Sequence, residues 1–367
     1  MKVLIVDDTI FYRKILQDVL EDINGIEVVG SAHNGKLAID KIKRHKPDLI
    51  TLDVEMPRMN GLETLKAIQD LDLDVDALMV SSKTQHGSEI TIQALALGAF
   101  DFISKPDIDD PEENKKILKR ELMSKFHILR QKKKLNTLVQ KTKSVGTTKK
   151  KFPAKTRTSF YETSTKIDSK SVKRTEKSQI VAIGSSTGGP NALITLISGL
   201  PENLGVPVVI TQHMPPVFTA SLARTLNSKT SLTVKEAVDG EVLNKDTVYI
   251  AAGGQQMKVA SGVGFQKMIR ITDDPPENSC KPSVDYLFRS VSREYGSKVT
   301  GVILTGMGND GKIGMSVMKA AGALILAQNA ETCVVYGMPK AVIDAGLADK
   351  ILPIQKISEE IVKSIKL

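Results

Sequence analysis

The chain has 367 residues, of which 41% are hydrophobic, and its formal net charge is +9. That length exceeds one ordinary hydrophobic core and predicts two domains. No apolar stretch approaches the ~18 residues that span a bilayer, and no signal-peptide pattern precedes the first apolar run. We therefore expect a cytoplasmic protein that is not itself a membrane protein. The two cysteines, Cys280 and Cys333, are too few for a disulfide framework.

The positive charge is concentrated in the middle of the chain. Residues 115–177 hold 21 Lys and Arg against 4 Asp and Glu, a net charge of +17 that leaves −8 for the remainder. From about residue 132 to residue 178 the chain shows no sustained hydrophobic period, and we predict a basic flexible linker over residues 126–177. A nucleic-acid or lipid contact is the alternative. Because no aromatic residues interleave the charges as stacking platforms, we expect no nucleic-acid partner.

Residues 1–125 alternate continuous apolar runs with amphipathic helical patterns. The runs predicted as strands are residues 3–6, 26–29, 48–52, 77–80 and 100–103. Each is apolar throughout, as in a parallel sheet that helices cover on both faces. Between the first two runs, Phe11, Ile15 and Val19 fall on one helical face. The pattern predicts a doubly wound, five-stranded α/β domain.

Charged and hydroxyl side chains follow four of these runs. They are Asp7 and Asp8 after the first, Asp53 after the third, Ser81 after the fourth and Lys105 after the fifth. Ligands of such sheets bind beyond the carboxyl ends of the strands. Three carboxylates gathered there repel one another unless a cation joins them, and oxygen ligands suit Mg²⁺. We predict a phosphoryl site in which Asp53 attacks the donor, Lys105 neutralises charge and Ser81 binds a phosphoryl oxygen, although Asp7 or Asp8 alone could cap a helix.

The first domain resembles the response-regulator receiver family. The resemblance covers the whole domain and is carried by VDD at 6–8, LDVEMPRMNG at 52–61, VSS at 80–82 and SKP at 104–106. It implies that a histidine-kinase partner phosphorylates Asp53. It also makes Phe102 a candidate switch residue that moves with phosphorylation; the alternative is a Phe that packs in the core.

The pattern restarts after residue 178. The predicted strands are residues 180–183, 207–211, 247–251, 299–304 and 323–327, separated by helical stretches such as 191–198 and 313–320. This predicts a three-layer α/β/α domain with a parallel sheet over residues 178–367.

Three motifs in this half supply a nucleophile, a base and an acid. The sequence GSSTG at 184–188 lies between a strand and a helix, the context of a nucleophile elbow around Ser186; a phosphate cradle is the alternative. His213 is the only histidine after residue 178 and follows a strand. Asp310 lies in a glycine-rich loop after another strand, where a helix-capping role is the alternative. A hydroxyl nucleophile needs an imidazole and an orienting carboxylate, so we predict a Ser-His-Asp triad.

Two other assignments remain open at this point. Cys280 with His213 would form a thiol nucleophile, but Cys280 lies in a polar stretch without an elbow. A nucleotide-binding or purely binding output domain is the other alternative. A nucleotide site requires an acidic residue about 20 positions beyond the glycines. Glu202 fits that requirement poorly.

Residues 183–352 resemble the catalytic domain of the chemotaxis protein-glutamate methylesterases. The matching stretches include YIA at 249–251, PSVD at 282–285 and VVYGMP at 334–339, and the family often has His where this chain has Cys280. The resemblance implies that Ser186, His213 and Asp310 are the nucleophile, base and acid. Backbone amides near Thr187 and Met307 would form the oxyanion hole.

A receiver tied to that catalytic domain is this family's architecture. The resemblance implies hydrolysis of glutamate methyl esters on methyl-accepting chemotaxis receptors, with a second deamidase activity on receptor glutamines. A chemotaxis histidine kinase would phosphorylate the receiver with Mg²⁺, whereas the esterase reaction would need no cofactor. We further expect the unphosphorylated receiver to exclude protein substrates from the catalytic crevice.

Overall fold

The structure is a computed structural model that describes residues 1–143 and 176–366. The first domain is a parallel sheet in the order β2-β1-β3-β4-β5 with helices on both faces, as predicted. The strands are β1 (Lys2–Val6), β2 (Glu27–Ala32), β3 (Leu49–Asp53), β4 (Asp76–Ser81) and β5 (Asp101–Ser104), and the helices are α1 (Ile10–Glu21), α2 (Gly35–His45), α3 (Gly61–Asp70), α4 (Gln85–Ala96) and α5 (Pro111–Lys143).

The loop after β3 is fixed by the start of α3. Asn60 accepts a hydrogen bond from the backbone of Glu63, and the Glu63 carboxylate accepts one from the backbone of Asn60. This capping box satisfies two otherwise unpaired donors. A Cβ on Gly61 would lie 2.3 Å from the backbone oxygen of Asp53, so only glycine permits this approach. The start of α3 is therefore fixed directly against the end of β3, which carries Asp53.

The last helix of this domain extends past the boundary predicted at residue 125. Leu118, Leu122, Phe126 and Leu129 are buried along one face of α5 and continue the apolar core of the first sheet. Their helical spacing outweighs the many Lys and Arg residues between them in the sequence. The remaining part of the predicted linker, residues 144–175, lies outside the described residues.

The second domain is a seven-stranded parallel sheet in the order β14-β13-β12-β6-β7-β9-β8. Its strands are β6 (Ile180–Ser185), β7 (Val208–Gln212), β8 (Thr233–Glu236), β9 (Thr247–Ile250), β12 (Val299–Ile303), β13 (Leu324–Gln328) and β14 (Lys350–Leu352), with the antiparallel pair β10 (Gln256–Ser261) and β11 (Lys267–Thr272) beside it. The helices are α6 (Gly189–Ser198), α7 (Phe218–Asn227), α8 (Val284–Tyr295), α9 (Lys312–Ala320), α10 (Met338–Asp344) and α11 (Ile354–Lys366). The three-layer prediction is confirmed.

All five strands predicted for this half are present, but four others are not in the prediction. The edge strand β8 has only one fully apolar residue, Val234, and β14 is three residues long. The pair β10 and β11 packs one face on α8 and exposes the other, so polar residues interrupt its pattern. Short or half-exposed strands lack the continuous apolar run on which the prediction depends.

The two domains pack together through α4 and α5 of the first and the loops and helices of the second. The ring of Phe102 on β5 stacks on Phe218 of α7, with centroids 4.5 Å apart. The buried hydroxyls of Ser88 and Ser221 lie 2.7 Å apart. Within the described ranges, no helix is both long and apolar enough to cross a bilayer.

Candidate functional site

Ser186 follows the central strand β6 and is held by both neighbouring strand ends. Its N–H donates to the Thr305 backbone oxygen at 3.0 Å, and its backbone oxygen accepts from Gln212 Nε2 at 2.9 Å. A Cβ on Gly306 would lie 2.8 Å from Ser186 Cβ, so the loop after β12 passes directly against the serine. The carboxyl ends of β6, β7 and β12 thus converge on Ser186.

His213 and Asp310 meet beside this serine loop. His213 Nε2 lies 2.8 Å from Asp310 Oδ2, and the two side chains are 14% and 3% exposed. Asp310 also accepts hydrogen bonds from five further groups: the N–H groups of Val284, Asp285 and Gly311, Ser283 Oγ and Asn278 Nδ2. Burial alone would raise the pKa of Asp310, but His213 and these donors outweigh it and lower the pKa to about 2. Asp310 is therefore a fixed anion.

The second ring nitrogen of His213 faces a cysteine. His213 Nδ1 lies 3.6 Å from Cys280 Sγ. Burial lowers the pKa of His213, but the contacts with Asp310 and Cys280 outweigh it and raise the pKa to about 9. Among the described residues no hydrogen bond joins the Ser186 hydroxyl to His213. Catalytic hydrogen bonds often tighten only when substrate binds, so Ser186 and His213 can still act as nucleophile and base.

Thr187 and Met307 offer backbone N–H donors on a cleft that Ser186 and His213 also line. Both residues line it together with Ser186, and in the described part of the chain no hydrogen bond takes up either N–H group. Thr187 stands just before α6, where N–H groups attract negative charge. Gly188 has φ +74°, and a Cβ there would lie 2.5 Å from Val334 Cβ. The tight turn that exposes the Thr187 N–H therefore needs glycine.

Both domains line this cleft, whose volume is about 480 Å³. On the receiver side, Lys125 of α5 pairs with Asp101 at 2.5 Å, and its Nζ lies 3.5 Å from Thr187 Oγ1. Ser124 Oγ lies 3.3 Å from Met307 Sδ. Sequence reasoning missed Lys125 and Ser124, because only the docked arrangement brings α5 over the cleft.

The receiver's acidic residues meet at one edge of its sheet. One carboxylate oxygen each from Asp7, Asp8 and Asp53 lies within 4.8 Å of the others. Lys105 Nζ lies 2.8 Å from Asp7 Oδ2 and 2.8 Å from Asp53 Oδ2. Burial, together with Asp7, raises the pKa of Asp53 to about 7, although Lys105 acts in the opposite direction.

This cluster fits a hard divalent cation. Asp7 Oδ2 is buried, and the Lys105 ammonium lies 2.8 Å from it. Three carboxylates raise the free energy of the site unless a cation joins them. Mg²⁺ prefers one or two carboxylates together with water and phosphoryl oxygens. The donor set therefore matches Mg²⁺.

Ser81 and Phe102 have different surroundings. Ser81 is buried at the end of β4, one residue beyond the partner of Asp53 in the sheet, and its hydroxyl donates to the Ser82 backbone at 3.2 Å. No hydrogen bond between Ser81 and Asp53 is present in the described residues. Phe102 packs into the domain contact on Phe218 rather than solely into the receiver core.

Comparisons with known proteins identify the family of each domain. Two family models match the chain, CheB methylesterase over residues 181–361 and the response regulator receiver domain over residues 3–118. A protein-glutamate methylesterase/protein-glutamine glutaminase of Desulfotalea psychrophila is 51% identical over 370 residues, covering 100% of this chain and 99% of the relative. The protein of the same name from Clostridium acetobutylicum is 39% identical over 366 residues, covering 100% and 98%.

A solved structure is similar to the second domain. It is the crystal structure of the Thermotoga maritima CheB methylesterase catalytic domain, with 45% identity and a TM-score of 0.50. The match covers 51% of this chain and 98% of that one. The chain, with its receiver domain and its catalytic domain, therefore belongs to the protein-glutamate methylesterase/protein-glutamine glutaminase family.

Proposed function

We propose that this protein hydrolyses glutamate methyl esters on the cytoplasmic helices of methyl-accepting chemotaxis receptors, under phosphorylation control. The observation that carries the proposal is the 2.8 Å contact between His213 and Asp310 on the cleft that Ser186 lines. An imidazole held by a buried carboxylate beside a serine turn is suited to acyl transfer. Such a protein acts in the cytoplasm, where these receptor helices lie.

In the acylation step Ser186 Oγ attacks the ester carbonyl and His213 Nδ1 takes its proton. Nδ1 is the available nitrogen because Asp310 holds Nε2. The oxyanion of the tetrahedral intermediate accepts hydrogen bonds from the N–H groups of Thr187 and Met307. His213 then gives the proton to the departing methoxide, and methanol leaves.

Water completes the cycle. His213 removes a proton from water, which attacks the acyl-enzyme carbonyl, and the proton passes to Ser186 Oγ as glutamate is released. Asp310 fixes the ring tautomer and stabilises the transient imidazolium. A glutamine substrate follows the same route with ammonia as the leaving group. Deamidation therefore needs no further residues.

The receiver controls this reaction through Asp53. We assign Asp53 as the residue that accepts a phosphoryl group from a chemotaxis histidine kinase, and Asp7, Asp8 and Asp53 as the residues that would hold Mg²⁺. The cation would neutralise charge on the phosphoryl oxygens. Lys105 contacts the Asp53 carboxylate that becomes phosphorylated, so phosphorylation changes the electrostatic partners of Lys105. Ser81 would bind a phosphoryl oxygen.

The docked receiver limits access to Ser186. Lys125 and Ser124 of α5 lie against the two oxyanion residues, Thr187 and Met307. A receptor helix is about 10 Å wide, so α5 lying over the cleft would exclude it, whereas a small ester would still enter. Phosphorylation would shift the docking equilibrium, with Phe102 at the domain contact as the switch residue. We expect the fragment of residues 177–367 to demethylate receptors faster than the unphosphorylated chain.

A thiol mechanism is the second candidate, because Cys280 Sγ, and not Ser186 Oγ, lies 3.6 Å from His213 Nδ1. Ser186 is favoured because its turn presents free N–H groups at the start of α6, whereas Cys280 follows a polar hairpin turn. The test is methanol release from methyl-labelled receptor membranes by the wild type, Ser186→Ala and Cys280→Ala. We expect the rate of methanol release to fall at least about a thousandfold in Ser186→Ala. We expect Cys280→Ala to keep turnover. Turnover that persists in Ser186→Ala would exclude the serine mechanism.

A further inference from the structure

Cys280 is held rigidly at the edge of the catalytic cleft. Its backbone N–H and oxygen both pair with Glu277, at 2.8 and 3.1 Å. Between them, Asn278 and Ser279 have φ +51° and +61°, the left-handed conformation of a tight turn. Asn278 Nδ2 also donates to Asp310 at 3.2 Å. The turn that presents the thiol is thus tied to the carboxylate that orients His213.

The thiol and the imidazole have the separation of two ligands on one tetrahedral zinc ion. Zn–S and Zn–N bonds of about 2.3 and 2.05 Å at a tetrahedral angle place sulfur and nitrogen about 3.6 Å apart. Cys280 Sγ and His213 Nδ1 are 3.6 Å apart. Thiolate and imidazole donors select Zn²⁺ and Cd²⁺ over hard cations such as Mg²⁺.

Asp310 supplies the outer contact that such a ligand needs. A metal-binding histidine generally donates its other ring N–H to a carboxylate, which fixes the tautomer and makes the free nitrogen more basic. Asp310 Oδ2 lies 2.8 Å from His213 Nε2. Nδ1 is then the basic nitrogen, and it faces the thiol. The cleft, of about 480 Å³, leaves room for water as the remaining ligands.

We propose that Cys280 Sγ and His213 Nδ1 form an inhibitory site for a soft divalent cation, Zn²⁺, on the catalytic cleft. Binding releases the thiol proton and, where His213 is an imidazolium, its Nδ1 proton to solvent, and it forms one metal–sulfur and one metal–nitrogen bond. The cation then occupies the nitrogen that accepts the serine proton, so hydrolysis stops until the metal leaves. The binding step stands on the geometry alone, whereas the inhibition rests on the proposed function.

The chain contains its own control thiol. Cys333 interacts with Thr305 rather than with an imidazole, and burial raises its pKa to about 12. Its thiol therefore resists the deprotonation that metal binding requires. The carboxylate cluster of the receiver offers only oxygen ligands, so it gives no metal–thiolate signal. Signals from a bound thiolate thus report Cys280 alone.

The experiment titrates the full chain, in excess Mg²⁺, with Cd²⁺ while the ultraviolet thiolate-to-metal charge-transfer band is recorded. The wild type and Cys333→Ser should each show one equivalent of the band. Cys280→Ser should show no such band. His213→Gln should bind Cd²⁺ at least about tenfold more weakly than the wild type. An equal band in Cys280→Ser, or no band in the wild type, would overturn the site.

A second readout follows small-ester hydrolysis with added Zn²⁺. We expect chelator-reversible inhibition of the wild type and of Cys333→Ser, and at least about tenfold less sensitivity in Cys280→Ser, each relative to its own metal-free rate. Equal sensitivity in Cys280→Ser would contradict the proposal. Because the Cd²⁺ band needs no turnover, it tests the site even if the esterase mechanism is wrong.

Discussion

The ion pair between Glu89 on α4 and Arg224 on α7 offers a direct test of receiver docking. The two charged groups lie 2.9 Å apart across the domain contact, with side chains 39% and 48% exposed. Exposed pairs of this kind contribute about 0.2–1 kcal/mol. Arg224→Glu replaces the attraction with a repulsion of similar size, so it should weaken docking by about 1 kcal/mol.

About 1 kcal/mol changes an equilibrium constant about fivefold. If docking limits access, the unphosphorylated Arg224→Glu variant should demethylate receptor membranes about fivefold faster than the wild type. The swap of Glu89→Arg with Arg224→Glu should restore the slow rate, and small-ester hydrolysis should change less than twofold in both. Methanol release from methyl-labelled receptor is the assay. An unchanged rate in the single variant, or a swap that stays fast, would refute control by docking.

Further predictions concern the two sites themselves. Gly306→Ala should destabilise the chain by about 1–3 kcal/mol in urea unfolding and lower ester hydrolysis, because its Cβ would lie 2.8 Å from Ser186 Cβ; wild-type stability and rate would contradict the packing. Because the proposed mechanism needs neutral His213, kcat/KM measured with a chelator should rise with pH through an apparent pKa above 6.5, towards about 9. A rate already at its plateau at pH 6 would contradict that shift. Asp8→Asn should weaken Mg²⁺ binding about tenfold in calorimetry, whereas equal affinity would remove Asp8 from the ligand set.

The central strands of both sheets were predictable because they are buried on both faces. Val3 to Val6 and Ile180 to Ile183 are all nearly inaccessible, so their sequences are continuous apolar runs. Polar residues just after such strands meet at one sheet edge, which is why Asp7, Asp53 and Lys105 could be grouped from the sequence. The edge strand β8 gave no comparable signal, because one of its faces meets solvent.

The contacts around the proposed catalytic site were not predictable in the same way. Cys280 reaches His213 through a turn whose two left-handed residues, Asn278 and Ser279, are not glycine. Lys125 reaches Thr187 only because the receiver docks on the second domain. Such contacts depend on how separate elements pack against one another, and residue spacing in the sequence does not predict that packing.

The most direct test of phosphorylation control is receptor methanol release before and after addition of acetyl phosphate with Mg²⁺, in the wild type and in Asp53→Asn. Small-ester hydrolysis in the same samples serves as the control for the catalytic residues. We expect receptor demethylation by the wild type to rise severalfold, Asp53→Asn to stay slow, and ester hydrolysis to change little. Equal acceleration of Asp53→Asn, or no acceleration of the phosphorylated wild type, would contradict it.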